Sequence, residues 1–369
     1  MVARRGRAKK LIQFSWWTGP IRYLSFMLDR SHSEADSLPI TADRGHDDGE
    51  AFAGIGPRVR ALLSGGPARG PGGGGGPVRL AADLVAVAEA DLSVARIVEG
   101  HVNAVRLIGL LGGTPDAGAV HGVWGADAAS PVAAEGNRLT GAKRYASGLG
   151  IVERALLTVG SGEDCRLALV DVRDPARHRP EAWDMVGMQP TLSGEIDLDG
   201  LVPVWIGGPG DYFREPHFLG GVWRIAALQL GGTLGLLGAA RDVLADRGHL
   251  DADAQVARLA PLVGRAMAAS GLVERAASVV EGDKGLSDPE RAVMLSIQSR
   301  LLTEDLAQDA IAAVERSVGL SHFTADAETG RRARDLATYC RQAARDAFEQ
   351  RAGRIALGRP GPLSALWHG

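Results

Sequence analysis

Between Val120 and Pro203 the chain reads as short strands and tight turns, and this stretch limits the fold more than any other because nearly everything after it reads as long helices. Leu156, Leu157 and Val159, then Leu167 to Val172, then Ile196, Leu198, Val202 and Val204 form short apolar or alternating runs. Gly, Pro or Asp-Gly bounds each run, which is the pattern of strands separated by turns. The expectation is an α+β chain with a compact β module between two helical regions.

The helical regions show a different period. Leu84, Val87, Ala88, Leu92, Ala95 and Ile97, continued by Val102, Val105, Leu107 and Ile108, predict a helical pair over residues 80–112. After the β module, Phe218 to Gly232 opens a first bundle helix. A second runs over 252–281, and a third begins at Asp288 as N-cap with Pro289 in the first turn. A fourth, over 331–357, completes an expected C-terminal four-helix bundle. Glycines in the first bundle helix lower its helix propensity by about 1 kcal/mol each, so close approach of another backbone or of a cofactor is their expected reason. The glycine run before Pro77 lacks G-K-[ST] and a flanking strand, so it reads as a flexible linker and not a phosphate loop. Arg4, Arg5, Arg7, Lys9 and Lys10 precede an apolar, aromatic stretch that Gly19-Pro20 breaks, which reads as a terminal extension more than a signal peptide. The expected organisation is 1–77, extension and glycine-rich linker; 78–118, a shortened N-terminal helical domain; 119–212, the β domain; and 213–358, the helical bundle.

With 369 residues, 45% hydrophobic, the chain can bury a large core, and a net charge of −3 gives no reason to expect nucleic acid as a partner. Two cysteines, Cys165 and Cys340, far apart in sequence, suggest neither a disulfide framework nor a metal site, and a cytoplasmic setting is expected. No unbroken apolar run reads as a membrane span.

Several segments in order then resemble one family. His121-Gly-Val-Trp-Gly-Ala-Asp127 stands where a first cofactor-contacting strand ends, and Leu139 to Gly148 is similar to a G-x-K-x-W-x-[ST] strand. Trp183 to Ser193 is similar to G-M-R-x-T-x-S, Leu198 to Pro203 to a closing d-d-V-x-V-P, and Arg331-Arg-Ala-Arg-Asp335 to R-x-x-R-D. Over roughly residues 81–357 the chain resembles the acyl-CoA dehydrogenase superfamily of flavoproteins. The resemblance implies a central antiparallel, barrel-like β domain, bound FAD, and a homodimer or homotetramer packed through the bundle. It also implies an acyl thioester or other small-molecule substrate, and an electron-transfer partner or flavin reductase. Carried over by position, Tyr145 stands at the flavin-flanking tryptophan and Ser147 at the hydroxyl near flavin N5. Trp124, Gly125, Gly148 and Thr191 stand around the ring, and Arg224 is within possible reach of the pyrophosphate. Residue by residue the alternatives stay open: Trp124 and Tyr145 also suit an ordinary core, Ser147-Gly148 an ordinary turn, and Arg224 a surface ion pair.

The pattern fails at the catalytic base. The family's glutamate falls near Ala343 in the late position or near Trp223 in the early one, and neither is a carboxylate. His101 and Glu99, polar within an apolar helical segment, are the candidate catalytic groups; His101 also suits a hydrogen-bonded packing role and Glu99 a solvent-facing one. Three functions follow as expectations: an FAD-dependent acyl thioester dehydrogenase with an unconventional base, a flavin-dependent monooxygenase of the same fold with His101 and His322 as donors, or a degenerate binding or assembly subunit.

Overall fold

A computed structural model describes residues 48–65, 75–342 and 344–368. The basic extension before residue 48, the linker over 66–74 and Ala343 lie outside the described residues.

Helix α1 (Asp48–Gly65) is followed by α2 (Gly76–Ala90), which starts on Pro77, and α3 (Leu92–Leu110). Asp91 separates the last two and caps α3, its carboxylate accepting the Ser93 and Val94 backbone N–H groups at 2.9 and 3.1 Å. Such a cap stabilises a helix by about 1 kcal/mol, and it lets the chain reverse between two helices with one extended residue.

The β module holds nine strands: β1 (His121–Trp124), β2 (Ala133–Glu135), β3 (Arg138–Thr140), β4 (Ala142–Ala146), β5 (Arg154–Val159), β6 (Arg166–Asp171), β7 (His178–Arg179), β8 (Gly194–Asp197) and β9 (Val204–Ile206). They form three separate sheets, ordered β1-β5-β6-β9, β4-β8-β7 and β2-β3. The expected antiparallel barrel does not form. No sheet closes, and β1 runs parallel to β5, pairing Trp124 with Leu157. The reason is geometric: strands of two to six residues are too short to tilt and stagger around a closed circuit.

Among the described residues five longer helices follow: α4 (Trp223–Asp246), α5 (Asp253–Val280), α6 (Pro289–Val318), α7 (Glu328–Cys340) and α8 (Arg345–Gly358). Asp288 caps α6 as expected, accepting from the Arg291 backbone N–H at 3.2 Å. The expected last helix is instead broken, with Ala344 in the left-handed region at φ +66°. The α4 glycines have their reason in α2: a Cβ on Gly231 would run into the Val85 carbonyl, and one on Gly235 into the Glu89 carbonyl. The two backbones therefore pack in direct contact. Helices over 219–246 and 253–280 are each long and apolar enough to cross a membrane, unlike the sequence reading; the first is largely buried within the chain, while the second leaves Val256, Val263 and Met267 on its outer face.

Candidate functional site

The strand β4 carries the first elements of the site. Lys143 is fully buried, and its ammonium donates to Asp127 Oδ1 at 2.5 Å and Thr158 Oγ1 at 2.8 Å. Burial lowers its pKa, and the hydrogen bond and charge of Asp127 oppose that shift. This clamp holds the exit of β1 against β4 and β5, and with it Gly125, whose carbonyl accepts from Thr158 Oγ1 at 3.0 Å. Gly125 itself is exposed.

Two residues on, β4 bulges between Arg144 and Ala146, and Tyr145 takes a left-handed backbone at φ +55°. An L side chain held there carries strain of about 1–3 kcal/mol. The result is a tyrosine ring turned outward, 36% exposed, with Trp183 edge-on at 6.3 Å and the Arg144 guanidinium over it at 4.5 Å. Trp124 lies beneath the turn that follows, only 2% exposed, with its indole N–H donating to the Ser147 carbonyl at 3.1 Å. It is packed in the core and props the turn from below.

The turn is closed by the loop over 187–193. Gly148, at φ +88°, donates its N–H to the Thr191 carbonyl at 2.7 Å, and a Cβ there would stand 2.9 Å from Val152. Thr191 Oγ1 donates to the Met188 carbonyl at 2.7 Å and Ser193 Oγ donates to Ser147 Oγ at 2.8 Å. A serine hydroxyl has one proton and two lone pairs. Ser193 Oγ stands 2.8 Å from both Thr191 Oγ1 and Ser147 Oγ, so the three hydroxyls form one chain that ends at Ser147. The loop is tied in turn to α7: Met188 N–H donates to Asp335 Oδ1 at 2.6 Å, and Gly187 lies against the Arg334 carbonyl, with no room for a Cβ.

His101 and Glu99 are placed on different sides of α3, as a two-residue step of about 200° requires. His101 Nδ1 accepts the His121 backbone N–H at 3.0 Å, so the neutral ring carries its proton on Nε2. Burial, aided by His121, lowers its pKa to about 4. Its neighbour His121 accepts the Asp116 N–H at Nε2 and therefore donates from Nδ1 to the Ala119 carbonyl at 3.0 Å. Glu99 is buried and paired with Arg96 at 2.6 Å. It does not face solvent; its charge is felt by Tyr212, which burial first, then Cys165 and Glu99, push up to about 12. His322 is also buried, against Thr329 Oγ1 at 3.1 Å.

Arg224 is 1% exposed and turned to Glu281, with Nη2 on Oε1 at 2.5 Å. Arg106 of α3 donates Nε to the other carboxylate oxygen at 2.5 Å and Nη2 to His217 Nδ1 at 2.7 Å. Trp223, the residue at the early base position, donates its indole N–H to Glu281 Oε1 at 3.2 Å. Burial pushes the Glu281 carboxyl up, but Arg224 and Arg106 overcome it and hold the pKa below its ordinary value. Sequence reading missed Arg106, His217 and Glu281. The signal was the helical stripe Arg96, Glu99, Asn103 and Arg106 at i, i+3, i+7 and i+10. The site's two sides approach through Tyr212: its hydroxyl stands 4.0 Å from where a Gly125 Cβ would lie, and its ring meets Phe218 at 5.0 Å.

No family profile and no curated protein sequence matches the chain. Solved structures do. FMN-bound TdsC from Paenibacillus sp. A11-2, described as a dibenzothiophene monooxygenase, superposes with a TM-score of 0.64 at 15% identity, over 87% of this chain and 100% of TdsC. XiaF from Streptomyces sp., in complex with FADH2 and glycerol, gives 0.62 at 19% identity over 83% and 87% of the two chains. The flavoprotein nitroalkane oxidase gives 0.72 at 14% identity over 88% and 92%. At these identities the likeness carries the fold alone, and it answers the expectation drawn from the order of motifs: the chain has the acyl-CoA dehydrogenase fold.

Proposed function

We propose that the chain is a flavin-dependent oxidoreductase acting on a small organic substrate, with FAD as its cofactor. The observation that carries this is the Tyr145–Ser147 turn: an outward tyrosine ring in a left-handed backbone, beside the hydroxyl that ends the Thr191–Ser193–Ser147 chain. A flavin ring offers a flat apolar face and nitrogen acceptors along its edge, and these residues fit it. Tyr145 would flank the ring, Ser147 would donate to an edge nitrogen, and exposed Gly125 leaves its backbone approachable. When bound, the flavin supplies the redox chemistry, as hydride acceptor or as the reductant of oxygen. Trp124, Gly148 and Thr191 hold the turn in place.

The finer choice is between dehydrogenation of an acyl thioester and oxygen-dependent monooxygenation. Dehydrogenation needs a carboxylate to remove a proton next to the thioester, a contribution of about two to four orders of magnitude. Trp223 occupies the early position, fully buried. The buried carboxylates on this side, Glu99 and Glu281, are both committed to arginines. That favours the monooxygenase reading, which needs no such base. TdsC, described as a monooxygenase, supports it by fold. A homo-oligomer formed over the apolar outer face of α5, and a reductase that delivers reduced flavin, belong to the same proposal. The test is oxygen uptake with NADH, a flavin reductase and candidate substrates, set beside dye reduction by acyl-CoA thioesters. Substrate-dependent product carrying an added oxygen atom supports the proposal; dye reduction by a thioester without oxygen uptake replaces it with the dehydrogenase.

A further inference from the structure

The cluster between α3, the 211–222 segment and the end of α5 holds more positive charge than it balances. Arg106 and Arg224, 7% and 1% exposed, share the single carboxylate of Glu281. That carboxylate already accepts three donors, the third being the Trp223 indole. His217 gives Arg106 a neutral acceptor, since a guanidinium only donates. Glu215 is occupied elsewhere, by the backbone N–H groups of Leu219 and Gly220 and by Arg351. The C-terminal end of α5 adds about half a negative charge, which leaves part of one positive charge without a counterpart. Two donors confirm the deficit: Arg106 Nη1 and Arg224 Nε are buried and have no partner. A buried donor left unpaired costs about 1–3 kcal/mol, more when charged.

We infer that Arg106 and Arg224 receive the carboxylate of a small organic acid, and that this acid is the ligand of the proposed oxidoreductase site. The assignment of the acid as substrate rests on that functional reading; the anion site itself does not. The charge left over, less than one unit, matches a monoanion better than a phosphate monoester, which carries about −1.5 to −2 at neutral pH. The surroundings fit an apolar body: the Tyr212, Phe213 and Phe218 rings pack mutually at 4.9–5.2 Å beside His217. The same Tyr212 places its hydroxyl 4.0 Å from where a Gly125 Cβ would lie, which connects this aromatic cluster to the strand end that carries Gly125.

The test uses the full chain, with its flavin content measured in the same preparation, and calorimetric titration with benzoate, its neutral counterpart benzamide, and inorganic phosphate. Benzoate is expected to bind at least about tenfold tighter than benzamide, the weight of one charge-assisted hydrogen bond, and tighter than phosphate. Arg106→Gln is expected to weaken benzoate by a similar factor and leave benzamide unchanged. Should that variant not fold, Arg106→Lys, which keeps the charge but loses the fork, is expected to give an intermediate loss. Equal binding of benzoate and benzamide, preference for phosphate, or unchanged benzoate binding in the variant overturns the inference. Flavin bound without benzoate discrimination overturns it and leaves the oxidoreductase reading standing; discrimination by a chain that binds no flavin does the reverse.

Discussion

Ser147 and Tyr145 act by what they leave open. Ser147 stands at the open end of a hydroxyl chain through Ser193 and Thr191, and Tyr145 keeps its ring outward because the bulge forces φ to +55°. Replacing both by alanine should lower flavin occupancy or shift the bound flavin spectrum without unfolding the chain, since neither side chain carries core packing; unchanged flavin content in Tyr145→Ala/Ser147→Ala removes the placement. His101 yields a prediction of another kind. Its folded pKa of about 4 lies below the ordinary 6.5, so between these values the unfolded chain binds the proton that the native chain refuses. Stability from this group is therefore present above pH 6.5 and is lost as pH falls toward 4, by an amount on the order of 3 kcal/mol at most. His101→Gln, which keeps an acceptor, should flatten the urea-denaturation stability profile over that window; a profile as steep as the parent's contradicts it.

At the scale of elements, α3 is a divider. Ile97 and His101 face the β module, where Ile97 stands 3.1 Å from the Cβ position of Gly148, while Glu99 and Arg106 face the C-terminal helices. The sequence showed the helix clearly, through its apolar period, but the polar residues were weighed together because they are near in sequence, and the 200° between 99 and 101 separates them. The α4 glycines were legible too, and their partner proved to be the α2 backbone. Gly231→Ala should destabilise the fold by about 1–3 kcal/mol through overpacking, read as a lowered urea midpoint, whereas Gly238→Ala, which meets open space, should stabilise or leave it unchanged. The break between α7 and α8 was not legible: Gln342, Ala343 and Ala344 are good helix formers, yet Ala344 stands at φ +66°. The barrel expectation failed similarly, because strand runs in sequence carry no information on which edges pair.

Across the whole molecule, Asp335 of the R-x-x-R-D segment joins the β module to the C-terminal helices, beside the broader packing of the module on α3. Its carboxylate accepts the Met188 N–H and holds Arg331 at 2.9 Å, and burial raises its pKa. The motif was visible in sequence; its use as a fastener for the loop that closes on Ser147 was not, because the contact spans residues 188 and 335. Asp335→Ala should therefore loosen flavin retention although the residue lies away from Tyr145, and should lower stability by about 1–3 kcal/mol for the stranded N–H. The charged cluster at Arg106 and Glu281 was invisible for the same reason, its members being 175 residues apart. The central claim is that this fold, in this chain, holds a flavin. The absorption spectrum of the purified chain, with free FAD then titrated in while its fluorescence is followed, tests it directly. A flavin spectrum in stoichiometric amount, or saturable quenching of added FAD that the Tyr145→Ala/Ser147→Ala variant loses, is the predicted result; a colourless chain that leaves FAD fluorescence unchanged contradicts it.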